Sequence, residues 1–111
     1  MQDGIVYLKE DAKTIWYSDL SPEEQDAAWN DLWKAQSHTS FTHMPSFITS
    51  DIKVHKTYVF CEFDKVVDPA YQEAITQFGQ YDEVVRLPSG HAPMLSMPEK
   101  LVDIIVGAAA K

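Results

Sequence analysis

The sequence has 111 residues, which is enough for one modest domain. Its net charge of −8 argues against nucleic-acid binding, because that function normally requires a basic face. The single cysteine excludes an internal disulfide, no apolar run reaches the roughly 20 residues of a membrane helix, and the start lacks a signal-peptide pattern, so we expect a cytoplasmic protein.

The first 50 residues carry mainly helical signals. Residues Gly4–Leu8 predict a short strand, and residues 10–17 predict a brief helix. Residues 35–50 mix small polar side chains with aromatic ones, and they predict a short helical turn followed by a loop. We expect this half to form a separate unit that ends near Ser50.

A longer helix is expected after Ser21. A serine N-cap, Pro22 at the first helical position and Glu24 three residues after the serine form the pattern of a capping box. The helix is expected to run to about Lys34. Two tryptophans spaced four residues apart are expected to share its buried face: Trp29 and Trp33.

Residues 57–110 follow a different order, which is strand, helix, strand, helix. The continuous apolar run Tyr58–Cys61 is typical of a strand covered on both faces in a parallel sheet, and Glu83–Leu87 predicts a second strand. This order predicts a βαβα unit with two parallel strands and flanking helices. The predicted fold class is therefore α/β, with a core domain at 51–111 preceded by the mainly helical segment 1–50.

Both helices of this unit have start signals. Asp68, which precedes a proline, is expected to cap the first helix, and Gly79 is expected to end it. Ser96 and Glu99 form the pattern of a second capping box, which predicts a last helix to about Ala110. Three apolar residues are expected on the buried side of the first helix: Ala74, Ile75 and Phe78.

A carboxylate and a histidine follow the two predicted strands. Asp64 comes after the first strand, and a Gly-His turn places His91 after the second. Because the C-terminal ends of parallel strands share one edge of the sheet, we expect these two side chains to lie close together. A carboxylate bound to one ring nitrogen fixes the tautomer and leaves the other nitrogen free to take a proton from a hydroxyl nucleophile. The sequence therefore predicts a catalytic acid–base pair.

Other residues offer weaker versions of this chemistry. Asp68 is a rival acid, although capping suits it better. Cys61 lies inside a strand and is expected to be a core residue, while Ser89 and Ser96 lack the turn that presents a nucleophile. We expect no metal site and no cofactor, because the four histidines fit no ligand spacing: His38, His43, His55 and His91.

Two stretches of the sequence resemble a known family. Five residues are similar to the pattern around the triad acid of α/β-hydrolases in the hydroxynitrile lyase and plant-esterase-like branch: Tyr58, Cys61, Asp64, Pro69 and Gln72. The stretch Ser89–Ser96, followed by Pro98, is similar to the pattern around that branch's histidine. The resemblance implies that Asp64 is the acid and His91 the base of a Ser-His-Asp triad. It also implies that residues 1–50 are the helical cap over the substrate pocket.

The nucleophile that this resemblance implies is not found in the sequence. The family's serine lies in a G-x-S-x-G elbow, whereas the glycines here stand at positions 4, 79, 90 and 107. One hypothesis is a hydrolase of a small ester or amide, or a lyase of the same branch, whose nucleophile comes from an upstream half or a partner chain. The other hypothesis is a non-catalytic remnant or small binding module. In either case, an exposed strand edge would favour self-association.

The apolar residues of the predicted cap have two interpretations. They either line a pocket for the apolar part of a substrate or pack the cap's own core. Three of them are predicted to contact substrate: Trp33, Phe41 and Met44.

Overall fold

The computed structural model describes residues 3–111. The first half contains two strands, three helices and a 3₁₀ turn at Glu10–Ala12: β1 (Ile5–Tyr7), α1 (Lys13–Trp16), α2 (Pro22–Asp31), β2 (Ala35–Ser37) and α3 (Thr39–Thr42). After a second 3₁₀ turn at Thr49–Asp51, the second half contains two strands and three helices: β3 (Thr57–Cys61), α4 (Pro69–Phe78), β4 (Glu83–Leu87), α5 (Pro93–Ser96) and α6 (Pro98–Ala109).

The predicted parallel pair is confirmed. β3 and β4 run parallel and pair residue for residue, from Thr57 with Glu83 to Cys61 with Leu87. The helix α4 connects them, as a parallel crossover requires. Phe60 is the most buried large side chain of the pair, with 1% of its surface exposed. The fold class is therefore α/β, and the C-terminal ends of both strands lie at one edge.

The first half is less helical than predicted. β1 is the expected strand, but β2 was not predicted, and the two pair antiparallel from Ile5 with Ser37 to Tyr7 with Ala35. All three residues of β2 are exposed, so its sequence has no alternating apolar pattern. The short helical turn predicted for this region is α3.

The end of α2 and the burial of one residue in α4 differ from their predictions, whereas α4 ends at Gly79 as predicted. The helix α2 stops at Asp31 instead of about Lys34, because the backbone of Leu32 is extended, with φ −79° and ψ 135°. Trp33 consequently leaves the helical face and is 90% exposed, while Trp29 is 4% exposed. In α4, Phe78 was predicted to be buried and is 81% exposed.

Local cap signals account for the starts of α2 and α4. At α2, the Glu24 backbone N–H donates to Ser21 Oγ at 3.2 Å, and the Ser21 N–H donates to Glu24 Oε1 at 3.1 Å. At α4, the Tyr71 N–H donates to Asp68 Oδ1 at 2.9 Å. The capping box predicted at Ser96 is wrong, because Ser96 is the last residue of α5, and α6 starts without a side-chain cap.

The capping box at α2 supports a prediction about stability and pH. The pKa of the Glu24 carboxyl lies below its ordinary value of 4.5 because Ser21 donates hydrogen bonds to it. The hydroxyl of Ser21 has the larger effect, and its backbone N–H has the smaller one. Ser21→Ala is expected to lower the free energy of unfolding by about 1 kcal/mol at neutral pH. A lowered carboxyl pKa stabilises the fold above the unfolded-state pKa, and this contribution is lost as pH falls through the folded-state pKa.

The difference between wild type and Ser21→Ala should therefore be smaller at pH 3 than at pH 7 in urea unfolding experiments. The exposed loop residue Ser46 supplies a matched control, and Ser46→Ala should change stability little at either pH. If Ser21→Ala and Ser46→Ala destabilised the fold equally, Ser21 would not be the residue that stabilises the start of α2.

A cluster of buried hydrophobic residues joins the two halves of the chain. Tyr17, Leu20 and Trp29 from the first half pack with Ala92, which follows β4. Trp16 lies at the border of this cluster. The cluster holds the end of α1 against the loop that contains His91.

Candidate active site

The loops that follow β3 and β4 continue the pairing of the strands. The Glu62 N–H donates to the Leu87 carbonyl, and the Phe63 N–H donates to the Ser89 carbonyl, both at 2.9 Å. The two loops therefore leave the sheet side by side at its C-terminal edge. In open α/β sheets this edge is where ligands and catalytic groups collect.

Asp64 lies at the end of the first loop, with only 6% of its side chain exposed. Its Oδ1 accepts hydrogen bonds from the backbone N–H groups of Val66 at 2.8 Å and Val67 at 3.0 Å. Its Oδ2 lies 2.9 Å from His91 Nδ1. The two backbone bonds fix the orientation of the carboxyl group and aim Oδ2 at the imidazole.

The hydrogen bond to Asp64 sets the tautomer of His91. An ionised carboxylate can only accept, so Nδ1 carries the proton and Nε2 is left as an acceptor. The His91 side chain is 26% exposed, about four times as much as that of Asp64. The Trp16 ring packs against the imidazole in a T-shaped arrangement, with a centroid distance of 4.8 Å and an interplanar angle of 80°. The site therefore combines a buried carboxylate with an accessible imidazole.

Gln72 supports the acid loop from α4, and no role was predicted for it. Its side-chain amide donates to the carbonyls of Cys61 at 2.8 Å and Val67 at 2.9 Å. Its Oε1 accepts from the Cys61 N–H at 3.0 Å and from the Tyr58 hydroxyl at 3.3 Å. Gln72 is 2% exposed and thus ties the end of β3 to the loop that carries Asp64. Apart from its place in the family pattern, its sequence signal is a polar residue on a helix face that also carries Ile75.

The alternative catalytic residues have other contacts. Asp68 accepts the capping bond of α4. Burial raises the pKa of the Cys61 thiol, which suits a core residue better than a nucleophile. Ser89 is fully buried and its hydroxyl donates to the Gly90 carbonyl at 3.0 Å, while the Ser96 hydroxyl donates to the Ala92 carbonyl at 3.4 Å.

An apolar cavity of about 300 Å³ lies between β1, β2 and the ends of α1 and α2. Trp33 and Phe41 line it, together with Trp16, which also contacts His91. Met44 is 83% exposed and lies outside the lining. Trp16 is thus shared between the lining of the cavity and the contacts of His91.

Within residues 3–111, no three His, Cys, Asp or Glu side chains are grouped as metal ligands would be. In the same described part of the chain, no helix has both the length and the hydrophobicity that crossing a bilayer requires.

Comparison with known sequences gives two curated relatives. The chain is 30% identical, over 98% of its length, to "Probable hydrolase R7" of a Phoma species. It is 29% identical, over 99% of its length, to "Alpha/beta hydrolase nvfD" of Aspergillus novofumigatus. The chain spans 46% and 44% of these relatives, which is less than half of each. No protein-family model matches the chain.

Solved structures give the same fold. A variant of polyneuridine aldehyde esterase superposes with a TM-score of 0.77 at 18% identity, covering 93% of this chain and 42% of that protein. The pyrethroid hydrolase PytH superposes with a TM-score of 0.74 at 20% identity, covering 99% of this chain and 45% of that protein. The sequence relatives and the shared fold together show that the chain is related to the α/β-hydrolase superfamily.

Proposed function

We propose that this chain supplies the acid, Asp64, and the base, His91, of a Ser-His-Asp triad that hydrolyses a small ester or amide. The observation that carries the proposal is the 2.9 Å distance between Asp64 Oδ2 and His91 Nδ1 at the C-terminal edge of parallel strands. The nucleophile is proposed to come from an upstream segment or a partner chain, because the 111 residues contain no G-x-S-x-G elbow.

In each half of the proposed reaction, His91 moves one proton in two steps. Nε2 accepts the proton of the nucleophile's hydroxyl while the hydroxyl oxygen attacks the substrate carbonyl. Asp64 stabilises the imidazolium that forms, without taking the proton itself. The imidazolium then gives the proton to the leaving alcohol or amine, and the acyl group stays on the nucleophile's oxygen. In the second half of the reaction, water attacks this acyl group, and His91 takes a proton from the water and returns it to the nucleophile's oxygen as the acid leaves. The partial exposure of His91 supports this role, because the ring must reach both partners.

Residues 1–50 are proposed to act as a cap over the substrate, with residues 51–111 as part of the core domain. The apolar lining of the 300 Å³ cavity, which includes Trp33 and Phe41, suits the apolar part of a substrate. Met44 was predicted with them, but its position outside the lining gives that role no support. An ester is favoured because similar structures are named as an esterase and a pyrethroid hydrolase.

The proposal is tested by complementation with the segment of a related α/β-hydrolase that carries the nucleophile elbow. Hydrolysis of p-nitrophenyl butyrate is measured for the chain, for that segment and for their purified complex. We expect turnover by the complex only, and no turnover when the elbow serine is replaced with alanine. A stable complex that hydrolyses the ester no faster than the segment alone would contradict the proposed function.

Self-association through the sheet is a separate prediction. Among the described residues, β3 and β4 pair only with each other, so each leaves one edge unpaired. Light scattering should give an average mass above 12.6 kDa that increases with concentration. Val84→Lys, on half-exposed β4, should reduce this increase, whereas Val102→Lys on an exposed part of α6 should not. A mass of one chain at all concentrations would exclude the association.

A further inference from the structure

The turn before His91 is held by a residue from the first half of the chain. The Gly90 backbone N–H donates to Asp19 Oδ2 at 2.8 Å, although the two residues are 71 positions apart. Gly90 itself is buried. A backbone donor at a buried position needs a partner, and the Asp19 carboxylate supplies a charge-assisted one.

The approach of Asp19 to this turn requires a glycine. A Cβ atom placed on Gly90 would lie 2.8 Å from Asp19 Oδ1 and 3.0 Å from Ser18 Oγ. Distances this short would push the side chains of Asp19 and Ser18 away from this turn. The absence of a side chain at position 90 thus lets the carboxylate sit directly against the backbone that leads to His91.

The residues on either side of this hydrogen bond are held as well. Ala92, 5% exposed, packs into the cluster that contains Tyr17 and Leu20, and the Trp16 ring packs against His91. The segment that carries Asp19 is anchored in turn by Gln25. The side-chain amide of Gln25 donates to the carbonyls of Tyr17 at 2.9 Å and Leu20 at 3.1 Å.

We propose that Asp19 is a positioning residue, which fixes the backbone at Gly90 and so sets the orientation of the His91 imidazole. The hydrogen bond that His91 Nδ1 donates to Asp64 fixes one ring nitrogen, but it leaves the direction of Nε2 to the backbone that carries the ring. This inference rests on the proposed function, because it assigns Asp19 to the base of the same triad. It gives the proposed cap a second task, which is to hold the base in place.

The test uses the chain by itself and needs no catalysis. ¹⁵N spectra report the tautomer of the His91 ring, and amide hydrogen exchange reports the Gly90 N–H. In Asp19→Ala we expect exchange at Gly90 to be about ten-fold faster, as for the loss of one hydrogen bond. We also expect the ring nitrogens to change from one fixed tautomer toward an average of two, because a ring on a displaced backbone no longer keeps its hydrogen bond to Asp64. Asp19→Asn keeps an oxygen acceptor and should restore both readouts.

Asp103→Ala, at an exposed aspartate on α6, is the matched control and should change neither readout. If Asp19→Ala unfolds, Asp19→Ser replaces it in the comparison with wild type, because the serine side chain is too short to accept the hydrogen bond in the same way. Unchanged exchange and ring spectra in both the Ala and Ser variants would overturn the positioning role. A loss that Asp19→Asn fails to restore would also overturn it, since that result would mean a requirement for charge rather than for an acceptor.

Kinetics separate this inference from the proposed function. In the complemented enzyme, Asp19→Ala should lower kcat by about 10- to 100-fold with KM nearly unchanged, because a displaced base acts on bound substrate. If Asp19→Ala changes the ¹⁵N spectrum of the His91 ring but the wild-type complex shows no turnover, the proposed function is refuted and the positioning role of Asp19 stands. Normal kcat in Asp19→Ala, with turnover that still depends on His91, would refute the positioning alone.

Discussion

In the complemented enzyme, His91→Ala is expected to lower kcat for the aryl ester by about 10⁴-fold or more. The substitution removes the group that accepts the nucleophile's proton, and no other described side chain at this edge is placed to replace it. Asp64→Asn should cost about 10⁴-fold by a different route. An asparagine that offers its amide N–H to Nδ1 favours the opposite tautomer, in which Nε2 carries the proton and accepts none.

The double substitution makes the measurement more specific. Groups that act as one unit lose their activity together, so His91→Ala combined with Asp64→Asn should be no slower than His91→Ala alone. If the loss of kcat in the double variant equals the product of the two single losses, the two residues act independently, which would contradict the triad.

Two controls address the alternatives. His55→Ala, at an exposed histidine before the N-terminal end of β3 and so at the opposite end of this strand from Asp64, should leave kcat unchanged. Asp68→Asn tests the rival acid, and asparagine caps a helix about as well as aspartate. Unchanged kcat in Asp68→Asn therefore favours Asp64, whereas a loss comparable to that of Asp64→Asn would reassign the acid. Circular dichroism of each variant shows whether the fold is retained.

The part of the fold that the sequence predicted best is the part with local signals. The bounds of β3 follow from a continuous apolar run, β4 matches the stretch Glu83–Leu87 that was predicted as a strand, and the start of α4 follows from Asp68. Their parallel arrangement follows because a helix separates the strands in the sequence. That arrangement alone was enough to predict that the residues after the two strands would lie close together.

The features that were missed depend on partners far away in the sequence. β2 has three exposed residues and no apolar alternation, so its pairing with β1 leaves no local pattern. The end of α2 at Asp31 has no glycine or proline to mark it. The contact of Asp19 with Gly90 joins residues 71 positions apart, and a lone aspartate before Leu20 gives no sign of it.

The burial of Gln72 also depends on a partner that its local sequence does not reveal. A glutamine on a helix is most often exposed, and only the end of β3 explains why this one is buried. The family pattern included Gln72 without indicating what it does. Its hydrogen bonds connect β3 and the acid loop, and they predict a large effect on stability.

Gln72→Leu is expected to lower the free energy of unfolding by about 2–4 kcal/mol. Leucine is of similar size, so the substitution removes the amide without leaving a large cavity. The Cys61 N–H and the Val67 carbonyl then lose the partners that they have in the structure. A buried polar group without a partner costs about 1–3 kcal/mol, which is a large share of a total that is typically about 5–15 kcal/mol.

The matched control for this prediction is Gln77→Leu, which makes the same chemical change at an exposed position of α4. Its effect in urea unfolding should stay within about 0.5 kcal/mol. Gln72→Leu should also loosen the loop that carries Asp64, because Val67 is bound both by Gln72 and by the Asp64 carboxylate. Faster amide exchange at Val66 and Val67 in the folded variant would show that loosening. If the two variants have equal unfolding midpoints, the buried amide of Gln72 contributes no more to stability than an exposed one. Gln72 would then not be the residue that stabilises the loop carrying Asp64.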